Sequence, residues 1–161
     1  MNNFGIINPE EQIASIEQNY TMRRKIINEQ RKKTIQPGET RTYIKCVTSA
    51  DFARFEDGVV HAVCSTFSLA QAAEWAGRLF VLDIKEADEE GIGTRLVINH
   101  KSPAFAGEAV EIVTTLTRYE GHELTCCFTA SVGARLVADG ETGQKILKKE
   151  KLAKILASKQ V

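Results

Sequence analysis

Cys64-Ser-Thr-Phe-Ser-Leu-Ala-Gln-Ala-Ala-Glu-Trp-Ala-Gly-Arg-Leu-Phe-Val-Leu82 decides how the rest of this chain is arranged. Placed at about 100° per residue round a helical axis, its apolar residues cover nearly the whole circumference. The longer polar side chains Gln71, Glu74 and Arg78 share one stripe about 60° wide. A surface helix shows a broad polar face, so this pattern predicts a buried helix wrapped on most sides by other structure. Glu74 sits in its polar seam and has two readings. It is half of an i, i+4 ion pair with Arg78, or a functional acid whose apolar surround acts on its ionisation.

Downstream, Glu86 to Gly91 reads as an acidic turn closed by glycine, and from Gly93 the period changes to two. Thr94, Leu96, Ile98 and His100 share one face; Arg95, Val97, Asn99 and Lys101 share the other. Lys101-Ser-Pro-Ala-Phe-Ala-Gly107 interrupts, because Pro103 cannot donate to a ladder. Glu108 to Tyr119 then alternates with Val110, Ile112 and Leu116 inward. After the Glu120-Gly121 turn, Leu124, Cys126, Phe128, Ala130 and Val132 make the clearest strand face, and a weaker strand runs from about Arg135 to Leu147. Lys148 to Lys159 reads as a short basic helix with Leu152, Ile155 and Leu156 on one side.

Upstream, Asn8-Pro9-Glu10-Glu11 opens a helix that should run to about Lys33, its C-terminal half crowded with cations that suit the macrodipole. Gln36-Pro37-Gly38 breaks it. Glu39 to Thr48 reads as a first strand, and a loop containing Asp51-Phe-Ala-Arg-Phe55 and Asp57-Gly58 leads into the central helix. Strands joined by short turns imply an antiparallel sheet, with the central helix against its concave face. The expected fold is α+β, one sheet wrapped round one long helix. Residues 1–37 form a helical extension and 38–161 the domain.

The 161 residues suit a single domain with a real core. Twenty-one basic and 21 acidic residues balance, which gives no global drive toward nucleic acid or anionic membrane. No apolar run reaches the length of a membrane span, and the first residues lack the order of a signal peptide. A cytoplasmic setting is expected. The four cysteines agree: Cys126 and Cys127 should face opposite sides of a strand, and Cys46 and Cys64 lie in apolar contexts typical of buried reduced thiols.

The G-x-S-x-G elbow and the phosphate-binding loop are absent, and Gly91-Ile-Gly93 lacks the third glycine of a dinucleotide fingerprint. His61-x-x-Cys64 has ligand-compatible spacing without a second pair, so no metal site is expected. What remains is Thr66, Glu74 and His100, on elements expected to face one another, with Gly93-Thr94 opening the histidine strand. A carboxylate, an imidazole and a hydroxyl directed into one apolar interior supply a base or nucleophile, a proton shuttle and an orienting hydrogen-bonder. Each also has an ordinary reading: Thr66 as helix N-cap, Glu74 paired with Arg78, His100 as a core histidine.

The stretch from Thr66 through Ala76, the Gly93-Thr94 pair, His100, and Pro103 to Gly107 followed by Glu108 resemble the hotdog-fold thioesterases, most closely the fluoroacetyl-CoA thioesterase type. The resemblance covers roughly residues 38 to 152. It implies that the family's Thr-Glu-His set falls on Thr66, Glu74 and His100, and the glycine beside its reacting group on Gly93. The family's two lid phenylalanines resemble Phe52 and Phe55. It further implies hydrolysis of an acyl-CoA thioester, with CoA as part of the substrate and no separate cofactor, in a homodimer or dimer of dimers whose pantetheine arm enters between subunits. Lysines of the terminal segments are candidates for the CoA phosphates. Two other functions stay open: a hotdog hydratase or lyase acting on enoyl-CoA, and a non-catalytic acyl-CoA sensor.

Overall fold

Ser65 starts the central helix: its side chain accepts from the Ser68 N–H at 3.1 Å, which satisfies one orphan amide of the first turn. The helix, α1, spans Thr66–Ile84 and closes with the Lys85 N–H donating to the Val81 carbonyl at 2.8 Å. The structure, a computed structural model, describes residues 34–159. The helix expected from Asn8 to Lys33 lies outside the described residues.

Around α1 run β1 (Thr40–Cys46), β2 (Phe52–Phe55), β3 (Gly58–Cys64), β4 (Glu89–His100), β5 (Ala109–Glu120), β6 (Glu123–Val132) and β7 (Arg135–Lys148), with a C-terminal helix α2 (Lys149–Ala157). Five strands form one antiparallel sheet in the order β1-β5-β6-β7-β4. Its concave face is set by period-two alternation, with Val110, Ile112, Leu116, Leu124, Cys126, Phe128 and Ala130 all buried. Against them α1 lays Leu69, Ala72, Ala73, Ala76, Gly77, Phe80 and Val81. Small residues in mid-helix let the backbones approach closely. A Cβ on Gly77 would stand 2.5 Å from Thr142 Oγ1.

Four details differ from the sequence reading. First, the sheet covers only one side of α1: Phe67 (74% exposed), Trp75 (43%) and Leu82 (42%) form a stripe with Gln71 and Glu74 that no other described residue covers. Helical periodicity counts apolar residues without saying which body they pack against. Second, β4 begins at Glu89, so the turn is confined to Glu86–Asp88, and the pairing register shifts between Gly93 and Arg95. Third, the loop before α1 contains a 3-10 turn at Ser49–Asp51 and the β2–β3 hairpin, which bridges to the body through Val63 and Phe105. Val59, Val60, His61 and Ala62 in β3 are all exposed, so this strand carries no one-faced pattern to read. Fourth, Cys46 is exposed, whereas Cys64 and Cys126 are buried. Burial pushes the Cys126 thiol up to about 12. Among the described residues no helix is long and apolar enough to cross a membrane.

Candidate active site

The N-terminus of α1 and the end of β4 bring two expected residues together. Because Ser65 takes the cap, the Thr66 side chain is left to turn toward β4. Thr66 Oγ1 and His100 Nε2 lie 3.0 Å apart, the hydroxyl donating when Nε2 is unprotonated. Both border a cavity of about 380 Å³ whose apolar wall is built by Ala53, Val63, Leu69, Ala104 and Val137. His61 and Cys64 border it too, yet among the described residues no group of three His, Cys, Asp or Glu side chains could hold a metal.

Glu74 lies eight residues along the same continuous helix, about 12 Å further by helical rise and about 80° round. Its side chain is exposed and lies directly over Gly93; a Cβ there would overlap Glu74 Oε1. The expected ion pair with Arg78 is not formed. Arg78 instead reaches Glu90 Oε1 at 2.6 Å and the Gly91 carbonyl at 3.2 Å, because β4 brings a better-placed carboxylate than the helix does. Among the described residues the Glu74 carboxylate has no hydrogen-bond or ion-pair partner. Within one chain the expected residues therefore fall in two separate places, Thr66 with His100 at the cavity and Glu74 with Gly93 two turns along.

The lid candidates do not line the cavity. Phe52 is half-buried, Phe55 is 63% exposed near the hairpin tip, and the strand presents Ala53 to the cavity instead. Val63, which no motif marks, lines the cavity, as does His61, which the sequence marks only as half of an incomplete metal pair. Their β-branched neighbourhood, Val59-Val60 and Val63, was the available signal.

Two salt-bridged anchors hold the surroundings of Thr66. The wall loop after His100 is pinned by Arg135, whose guanidinium takes both carboxylate oxygens of Glu108 at 2.6 and 2.7 Å and also donates to the Pro103 carbonyl. At the start of α1, buried Asp51 accepts from Lys45 Nζ (2.6 Å), the Thr48 N–H (2.8 Å), Thr48 Oγ1 (3.0 Å) and Ser68 Oγ (2.8 Å), and its carbonyl takes the Ser65 N–H at 2.7 Å. Burial alone would raise the Asp51 carboxyl. The Lys45 ammonium and the Thr48 and Ser68 donors outweigh it and hold the group well below the usual carboxylate range. A depressed folded-state value contributes stability that is present above the unfolded-chain value and lost as pH falls toward the folded one. Asp51→Asn is therefore expected to lower stability at neutral pH by about 1–3 kcal/mol, seen as a lower melting temperature. The gap from wild type should narrow below about pH 4, where the unfolded carboxyl protonates. Thermal melts of both proteins from pH 3 to 8 check this, and a constant gap would contradict it.

The sequence profile of the family described as fluoroacetyl-CoA-specific thioesterase matches residues 47–150. No curated protein matches the chain by sequence. Among solved structures, a thioesterase superfamily member from Thermus thermophilus is similar at 30% identity, covering 78% of this chain and 93% of its own, with a TM-score of 0.74. The fluoroacetyl-CoA thioesterase FlK is similar at 20% identity, over 80% of this chain and 100% of its own, with a TM-score of 0.74. A 1,4-dihydroxy-2-naphthoyl-CoA thioesterase from Synechocystis is similar at 19% identity, over 69% and 84%, with a TM-score of 0.57. The last two likenesses speak to the fold, an antiparallel sheet with a long helix packed against it.

Proposed function

The chain belongs to the fluoroacetyl-CoA-specific thioesterase family and is a hydrolase of thioester bonds, and on that premise we propose that it cleaves an acyl-CoA to free acid and CoA with Thr66, His100 and Glu74. One observation carries the assignment of residues: the Thr66–His100 hydrogen bond beside an apolar cavity, with a carboxylate that has no partner among the described residues two turns along the same helix. The acyl chain fits the cavity between Leu69, Ala104 and Val137. Glu74 activates a water molecule or attacks the thioester carbonyl itself, and His100 handles the proton. The oxyanion meets main-chain N–H groups. Of the first-turn amides of α1, that of Ser68 goes to Ser65 Oγ and that of Leu69 to the Ser65 carbonyl, which among the described residues leaves those of Thr66 and Phe67 for an anion.

Thr66 and Glu74 of one chain are too far apart to touch one thioester, so the working unit is a homodimer with two composite sites. The open stripe of Phe67, Trp75 and Leu82 and the outer edge of β4, unpaired among the described residues, are the surfaces such a partner would cover. In this arrangement the pantetheine arm runs between subunits.

Release of free CoA thiol from a short panel of acyl-CoAs tests the function. Thiol appearing in step with carboxylic acid is the expected result. An acyl-CoA sensor would bind without releasing thiol, and a hydratase would consume an enoyl-CoA while keeping the thioester intact; either outcome replaces the reading.

A further inference from the structure

Gln144 on β7 is 2% exposed and lies beneath α1. In the sheet it is the cross-strand partner of Gly93. Its Nε2 donates to the main-chain carbonyl of Glu74 at 3.1 Å. It reaches the helix because Gly77 lets α1 sit so close to Thr142, two residues earlier on the same face of β7. One buried residue thus joins both members of the Glu74 half-site, Gly93 through its backbone position in the ladder and Glu74 through its side-chain amide.

Folding alone gives little reason for an amide here. Gln144 Oε1 is buried without a hydrogen-bond partner among the described residues, and it lies against Gly91, where a Cβ would come within 3.3 Å of it. A buried unpaired acceptor costs stability, and an apolar side chain of the same shape would remove that cost. The Glu74 carbonyl, inside a helix, already has the N–H four residues on as its partner. Its bond from Gln144 is a second one to an acceptor the helix satisfies.

We propose that Gln144 is a positioning residue, which ties α1 at residue 74 to the strand pair carrying Gly93 and so keeps the Glu74 carboxylate over that glycine. This rests on the reading of Glu74 as the reacting acid. The amide costs some stability and keeps the carboxylate within the narrow range of positions from which it can reach water or the thioester. Moving a reacting group by an ångström costs rate without changing how the acyl chain or CoA is bound.

The test is Gln144→Met in the full-length protein, which keeps length and volume and removes both polar atoms. The expected result is a melting temperature equal to or above wild type, an unchanged KM, and a kcat lowered roughly ten- to a hundredfold. The loss should vanish in a Glu74→Gln background, because Gln144 acts through Glu74. An unchanged kcat, whatever the melting temperature, overturns the proposal, and so does a kcat loss of the same size in both backgrounds. Should Gln144→Met not fold, Gln144→Leu takes its place; failure of both assigns the side chain to the core and overturns the positioning role. Glu74→Gln alone separates this proposal from the one beneath it. If that variant keeps full activity, the reading of Glu74 fails and takes Gln144 with it. If it is inactive while Gln144→Met keeps the full rate, only the Gln144 proposal falls.

Discussion

Glu74→Gln is expected to lower turnover by roughly 10²- to 10⁴-fold, the usual size of a general acid–base contribution, while leaving the folded state as stable as wild type. The two halves of this expectation come from different observations. The rate falls because glutamine keeps the size and hydrogen-bonding capacity of the side chain but cannot take a proton from water or attack a carbonyl. Stability holds because the carboxylate is exposed and has no ion-pair or hydrogen-bond partner among the described residues, so no stabilising contact is removed. Substitutions of that kind change stability by only about 0.5 kcal/mol. Initial rates of thiol release and a thermal melt on the same preparation read both halves. A structural Glu74 would reverse them, with a depressed melt and an unchanged rate per folded molecule.

The sequence reading went furthest where one local pattern had one cause. Val110, Ile112 and Leu116 alternate because a sheet face is buried, and β5, β6 and β7 appear within a few residues of where the alternation puts them. It went wrong where a local pattern had two possible causes. Apolar residues all round α1 read as burial on every side, but periodicity cannot distinguish the side the sheet takes, at Leu69, Ala73 and Phe80, from the side left exposed at Phe67, Trp75 and Leu82. Spacing of four puts Arg78 within reach of Glu74, but Glu90 arrives from β4, a strand the spacing does not see. A hydroxyl at the start of a helix reads as a cap whether it belongs to Ser65 or Thr66, and that one-residue difference decides whether Thr66 is occupied or available to His100. The polar pair Thr142 and Gln144, on inward positions of β7, was a visible signal. Its meaning needed the helix above it.

The distance between Thr66 and Glu74 yields the second large effect. Thr66 is the first residue of α1 and Glu74 stands eight residues along without a break, so no distortion of the helix brings them together. Two copies of α1 packed antiparallel about a two-fold axis would set Thr66 and His100 of each beside Glu74 and Gly93 of the other. In such a dimer Thr66→Ala alone and Glu74→Ala alone each disable both sites. Mixed by unfolding and refolding together, the variants form heterodimers in which one site has lost both residues and the other has lost neither. Half the dimers are mixed and half of their sites are intact, so about a quarter of wild-type activity should return from two nearly inactive proteins if subunits exchange at random. Wild type carried through the same cycle supplies the reference for recovery. A mixture no more active than its parents would mean that Thr66 and Glu74 serve one chain's site, with the thioester spanning them by a route the helix geometry argues against.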